Sequence, residues 1–238
     1  IYDGRSPVSV VAKNGEISVA DSLDSIVHWN FIADTIKSTA ASGSWNSNRN
    51  IAGRNPSDST NLWQSYDTGR SIVGSPINDL AVTVLPNAPI DDATGLPIPT
   101  IAVGTNNGVS VIRDDGNVVD WTETVGPDST HRLSFRKDHK LGVYTSGTAG
   151  IDDYPQLYYI DIPSSDVSSS HYYNFTSLGI EKYGYENESN STARLAIKGD
   201  LNSSLVDVVD SADRTYAATD VALNIISRPE SVGSTANM

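Results

Sequence analysis

The sequence predicts an all-β fold, a β-propeller-like array of four-stranded antiparallel meanders. Three observations predict it. Apolar and polar residues alternate with period two through much of the chain. Short β-rich runs are separated by turn dipeptides such as Asn-Gly and Asp-Gly. The combination of runs and turns then recurs along the chain.

The first element is a hairpin. Val8-Ser9-Val10-Val11 and Ile17-Ser18-Val19 flank Asn14-Gly15. Both central positions of a type I′ turn need positive φ, which Asn and Gly tolerate best. Residues 22–37 follow. Leu23, Ile26, Val27 and Phe31 are spaced like one helical face with Ser22 as N-cap, but Ile26-Val27-His28-Trp29 is β-rich, and a strand is the favoured reading. Residues 38–71 are polar and rich in Ser, Asn and Gly, so a long loop with one or two short strands is expected.

The clearest meander runs over 100–121. Three strands (100–105, 109–112 and 118–121) are joined by Asn106-Asn107-Gly108 and Asp114-Asp115-Gly116. Before it, residues 86–99 carry Pro86, Pro89, Pro97 and Pro99 and predict a rigid, exposed loop. Further runs follow at 132–135, 140–144, 156–162, 205–209, 216–219 and 222–226. First strands of successive meanders are expected near Asp79, His131 and Ala193, spaced more widely than the roughly 40–50 residues of a blade, as inserted loops would make them. At roughly 48 residues each, the 238-residue chain holds about five blades. Meanders wedged between neighbours bury both faces, so Gly104, Ala102 and Ala217 fit close contact between blades. An irregular β-sandwich shares the short strands and frequent turns and is the alternative.

The organisation expected is a single β-propeller-like domain over 1–238. The chain opens at Ile1 without Met and ends Ala236-Asn237-Met238, which reads as a fragment of a longer chain, whose neighbouring sequence could complete a larger ring, or as a processed product.

Composition excludes several functions. Asp and Glu number 29 against 16 Lys and Arg, a formal charge of −13. A nucleic-acid binder needs a basic face to displace counterions, and an anionic membrane surface needs the same, so neither partner is expected. No apolar run approaches the roughly 18 residues of a membrane span, so no membrane insertion is expected. There are no cysteines, hence no disulfides and no thiolate metal sites.

The run over 77–105 (INDLAVTVLPNAPIDDATGLPIPTIAVGT), continuing to Val118-Val119-Asp120, resembles a segment of large tail-associated or fibre-like virion proteins of marine bacteriophages. The opening over 6–21 (SPVSVVAKNGEISVAD) resembles the same family. The resemblance implies a virion location, other virion subunits or the rest of the same polypeptide as partners, and a structural or host-recognition role. It implies no individual functional residue.

Candidate chemistry is sparse. His28, His131, His139 and His171 lack the spacing of a zincin site, and packed or surface histidines are the ordinary reading. Gly-x-Ser-x-Gly and phosphate-binding glycine loops are absent, and nothing in the pattern supports a Ser-His-Asp triad. The Asp pairs 91–92, 114–115 and 152–153 could serve a glycosidase or a structural calcium ion, yet Asp before Gly is ordinary turn chemistry. No other cofactor is expected. Four Asn-x-Ser/Thr sequons, at Asn174, Asn187, Asn190 and Asn202, are what chance gives this composition. Tyr158-Tyr159 and Tyr172-Tyr173 predict one core and one exposed ring in each pair.

Aromatic residues in polar sequence are the stronger clue. Trp45, Trp63 and Tyr66 could stack on the apolar face of a sugar, with Asn46, Asn48 and Asn61 bonding its hydroxyls. The competing reading is that the rings pin a long loop to the blades. The expected function is therefore a non-catalytic virion module, scaffold or receptor binder, that meets a host-surface glycan or a protein. A glycan-degrading depolymerase and a secreted bacterial adhesin or cell-surface module are the alternatives.

Overall fold

The computed structural model describes residues 6–47, 65–123, 129–145, 156–169, 181–184, 205–210, 214–219 and 223–227. From residue 181 onward the backbone alone is described. Eighteen strands form four sheets, and no α-helix occurs among the described residues. The first sheet contains β1 (Pro7–Lys13), β2 (Glu16–Asp21), β3 (Ser25–Asn30), β4 (Thr35–Ala40), β5 (Gly43–Ser47) and β6 (Ser65–Asp67), side by side in chain order. The second holds β7 (Ile77–Thr83), β8 (Thr100–Thr105), β9 (Gly108–Ile112) and β10 (Val118–Glu123). The third contains β11 (Thr130–Phe135), β12 (Leu141–Thr145), β13 (Gln156–Ile160) and, beyond β14, β15 (Glu181–Gly184). β14 (Val167–Ser169) crosses back and pairs parallel with β10, so the chain ties the third sheet to the outer edge of the second. β16 (Leu205–Asp210), β17 (Arg214–Thr219) and β18 (Leu223–Ser227) make the fourth.

All other neighbours are antiparallel, as meanders with tight turns require. Asn14 and Gly15 take positive φ (50° and 79°), as the Asn-Gly turn demands. Residues 22–37 form β3 and the start of β4, and Asp21 rather than Ser22 caps the turn that precedes β3, its Oδ1 accepting from the Leu23, Asp24 and Ser25 amides. The expected loop over 38–71 contains the end of β4 together with β5 and β6, while 48–64 lie outside the described residues. The polar composition there marks a solvated sheet as much as a loop.

The sheets follow one another along their first strands. β1 lies against β7, β7 against β11, and β11 against β16. The expected first strands near Asp79 and His131 are β7 and β11. The region near Ala193 lies outside the described residues, and the last sheet begins at Leu205 instead. Four sheets are seen among the described residues where spacing anticipated about five, and two of them exceed four strands.

Each first strand carries a bulge at the same place. The register shifts fall between Pro7 and Ser9, Ile77 and Asp79, Thr130 and Arg132, and Leu205 and Asp207. The residue before the bulge pairs with Asp21, Thr105, Thr145 or Thr219, the last residue of the second strand. A bulge adds twist, which fans successive sheets apart while their first strands stay in contact.

Asp79 locks three of these strands. Its Oδ1 accepts from Ser9 Oγ on β1 at 2.9 Å, and its Oδ2 accepts from the Leu133 amide on β11 at 2.9 Å. Ser9 Oγ accepts in turn from the Leu80 amide. The bulged Asn78 adds Nδ2 bonds to the Thr130 carbonyl and to Asn106 Oδ1.

Apolar packing fills the spaces between sheets. Ile77, Leu80, Ile101 and Val103 of the second sheet meet Ala20 and Ile26 of the first. On its other face, Ala81, Ala102, Val111 and Trp121 meet Leu133, Val143 and Tyr158 of the third. β8 is buried along its whole length, as a strand wedged between two layers must be. A Cβ on Gly104 would lie 2.8 Å from Thr130 Cγ2, so Gly104 permits the close approach of the second and third sheets. Ala102 is fully buried, and the Ala217 side chain lies outside the described residues. Tyr158 and Tyr159 correct the expectation of one buried and one exposed ring, since both are 1% exposed. Tyr158 meets Trp121 edge-on, and Tyr159 on the opposite face lies under the Arg136 guanidinium, 4.6 Å from the ring centre. Tyr172 and Tyr173 lie outside the described residues.

Burial pushes the Asp79 carboxyl above its ordinary value, although its hydrogen bonds and Arg132 pull the other way. The folded protein thus holds this proton more tightly than the unfolded chain. Its contribution is fully present below the unfolded pKa of about 3.9 and is lost as pH rises through the folded value. Asp79→Ala should cost about 1–3 kcal/mol in urea unfolding, because the half-buried Ser9 hydroxyl and the Leu133 amide lose their acceptor. Asp79→Asn should abolish the part of the stability that falls with rising pH just above the ordinary aspartate range. Gly104→Val should lower the unfolding midpoint more than Ala102→Gly, which only trims a packed methyl.

Candidate functional site

Cross-strand pairing in the first sheet aligns Ser18, His28, Lys37 and Asn46 in one row. Side chains alternate across a strand, so this row shares a face with Glu16, Ala20 and Ile26. Ala20 and Ile26 pack toward the second sheet, which fixes that face as the inward one. Near its polar end the two sheets part, leaving adjoining cavities of about 280 Å³ and 210 Å³ that share Glu16, His28, Lys37, Ile98 and Pro99.

The proline loop over 86–99 walls this cleft. It is a built structure, closed by the Ile90–Pro97 bridge and by bonds between Asp91 and Leu96 and between Ile98 and Pro89. Asn14 Nδ2 donates to the Pro97 carbonyl at 2.6 Å and ties the loop to the first hairpin. The β9–β10 turn forms another wall. Its Asp115 accepts from the Asn117 amide, as expected of turn chemistry, and lies 3.9 Å from Arg113 Nε.

His28 is 6% exposed. Its Nδ1 lies 2.8 Å from Ser18 Oγ and 3.5 Å from Glu16 Oε1, and Ser18 Oγ donates to Glu16 at 3.3 Å. Ser18 has one hydroxyl proton, given to Glu16, so His28 Nδ1–H donates to Ser18. Burial by itself would raise the Glu16 carboxyl. The hydrogen bond and charge of His28, with Lys37 and Ser18, outweigh it and hold the group below its ordinary value.

A Ser-His-acid relay needs the hydroxyl and the carboxylate on different ring nitrogens. Here both lie on Nδ1, so the cluster orients His28 and activates no nucleophile. The Asp115 carboxyl is also held low, chiefly by the Asn117 amide. Among the described residues no group of three or more acidic or histidine side chains could hold a metal ion.

The sequence-derived binding residues divide. Trp45 and Tyr66 pair across β5 and β6, with ring centres 4.9 Å apart and planes tilted by 33°. Tyr66 is 53% exposed, and its hydroxyl donates to the Ser42 carbonyl. Gly43, at φ 137°, makes room for it, since a Cβ there would fall 2.8 Å from Tyr66 Cε2. Asn46, next to Trp45, points to the opposite face and lines the cleft. Trp63, Asn48 and Asn61 lie outside the described residues. The structure therefore joins Trp45 with Tyr66 and separates both from Asn46.

No protein-family model and no curated protein matches the chain. Solved structures that resemble it include two from B. thetaiotaomicron. One is described as the extracellular domain of a one component system (14% identity, TM-score 0.44, covering 94% of this chain and 27% of that one). The other is described as the extracellular domain of a hybrid two component system (14% identity, TM-score 0.37, 97% and 34%). The chain thus spans about a third or less of the length of each. No helix among the described residues is long and apolar enough to cross a membrane.

Glu16, held low, contributes stability that is complete above its unfolded pKa and is lost as pH falls through the folded value. Glu16→Gln should therefore lower stability at neutral pH by about 1 kcal/mol and flatten the acid limb of the unfolding profile. An unchanged acid limb would show that Glu16 and His28 are not coupled.

Proposed function

We propose that this chain is a non-catalytic contact module of a tail-associated virion protein and that it recognises a glycan on the host surface. The observation that carries this reading is the Trp45–Tyr66 pair. Two rings on adjacent strands present a tilted apolar surface, and one of them is more than half exposed although it sits on an ordered sheet. Rings held in this way can stack on the C–H face of a sugar at little entropic cost. The resemblance over 6–21 and 77–120 supports the virion setting and an extracellular location. The shared use of His28 Nδ1 favours contact over hydrolysis.

A glycan array probed with the folded protein should give saccharide signals. Tyr66→Ala, at an exposed position, should keep the unfolding midpoint and weaken those signals about tenfold, the worth of one stacked ring. Equal binding by Tyr66→Ala would refute the platform. A silent array would leave a scaffolding role, and release of reducing ends from a bound glycan would identify a depolymerase.

A further inference from the structure

We propose that the cleft between the first and second sheets is a second binding site, separate from the aromatic pair, and that it takes a single neutral sugar ring or a polyol of that size. His28 is the central observation. Its Nδ1 is occupied by Ser18 and Glu16, whereas Nε2 has no hydrogen-bond partner among the described residues and His28 lines both cavities. When the ring is uncharged and its proton sits on Nδ1 beside Ser18, Nε2 turns an acceptor lone pair on the cleft, held in place by a chain that ends on the Glu16 carboxylate. Beside it in the same row, Lys37 brings an ammonium donor and Asn46 an amide that both donates and accepts. A ligand must therefore accept from one neighbour and donate to the next at short spacing, which adjacent hydroxyls do.

The charge of the cleft gives no strong pull on an ion. Lys37, Arg70 and Arg113 face Glu16, Asp91, Asp114 and Asp115, opposite charges nearly in balance. Arg70 is already paired with Asp67 at 3.2 Å. The facing wall is apolar, built from Ile98, Pro99, Ile101 and Ile112, and suits the C–H face of a ring. Together the adjoining cavities reach the lower part of the range for small-ligand sites, roughly 300–1,000 Å³.

This site lies on the opposite face of the first sheet from Trp45 and Tyr66, so each can fail without the other. The test is a titration of the intact protein with glucose, galactose, mannose and N-acetylglucosamine, followed by the imidazole NMR signals of His28. Those signals are assigned through contacts with Ser18 and Lys37 rather than by replacing a buried residue. At least one sugar should shift them saturably. Lys37→Met and Asn46→Ala should each weaken that binding about tenfold, the loss of one hydrogen bond with a charged or amide partner, whereas Tyr66→Ala should leave it unchanged. The proposal is overturned if no sugar moves the His28 signals, if both cleft variants titrate like the parent, or if acetate or glycine moves them while the sugars do not.

Discussion

The architecture depends on one half-buried carboxylate. Asp79 sits just past the bulge of β7 and accepts from β1 through Ser9 and from β11 through the Leu133 amide. A buried charge without partners would be costly, and a backbone amide at a bulge without an acceptor would be too. Each satisfies the other. Three sheets that share no ladder are thereby held at a common line, and the bulges twist each meander away from it. Stacking along first strands, with apolar clusters between successive sheets, follows from that arrangement.

The same geometry explains why the cleft exists. The second sheet is covered on both faces, and its central strand β8 carries only small and β-branched residues. On its inward face the first sheet meets the apolar cluster at Ala20 and Ile26, with Val11 packed beside them. One pair of residues further along each strand, the face turns polar with Ser18, His28, Lys37 and Asn46, and close packing stops. The proline loop spans the gap as a wall and does not fill it, because it is braced on itself and on Asn14. Opposite this face, Gly43 leaves space for Tyr66 to lie over Trp45. One sheet therefore carries an aromatic surface on one side and a polar cleft on the other.

Much of this was legible from residues. Period-two alternation and the Asn14-Gly15 and Asp114-Asp115-Gly116 turns identified the meanders, since backbone demands at turns are local. Trp45 and Tyr66 stood out as aromatics in polar sequence, and pairing of β5 with β6 brings them together. Asn46 lies on the face opposite Trp45 because adjacent strand residues face opposite ways, and no pattern marks 43–47 as a strand. The Glu16–Ser18–His28 cluster escaped notice because it depends on register between β2 and β3, although Glu16 and Ser18 alternate onto one face. The repeat of the bulge had a faint trace, an Asp or Thr closing each second strand at Asp21, Thr105, Thr145 and Thr219. Thr105 shows its use, donating to the Gly108 carbonyl and accepting from the Asn107 amide.

Native-state amide hydrogen exchange at Leu133 and Leu80 tests the central claim most directly. Their N–H groups donate to Asp79 and to Ser9 at the line where the first strands meet. If that junction organises the molecule, both amides exchange only through global unfolding, as slowly as the fully buried core of β8. Exchange at the rate of exposed loop amides would mean that the sheets are not joined there, and the account of the fold would fail with it.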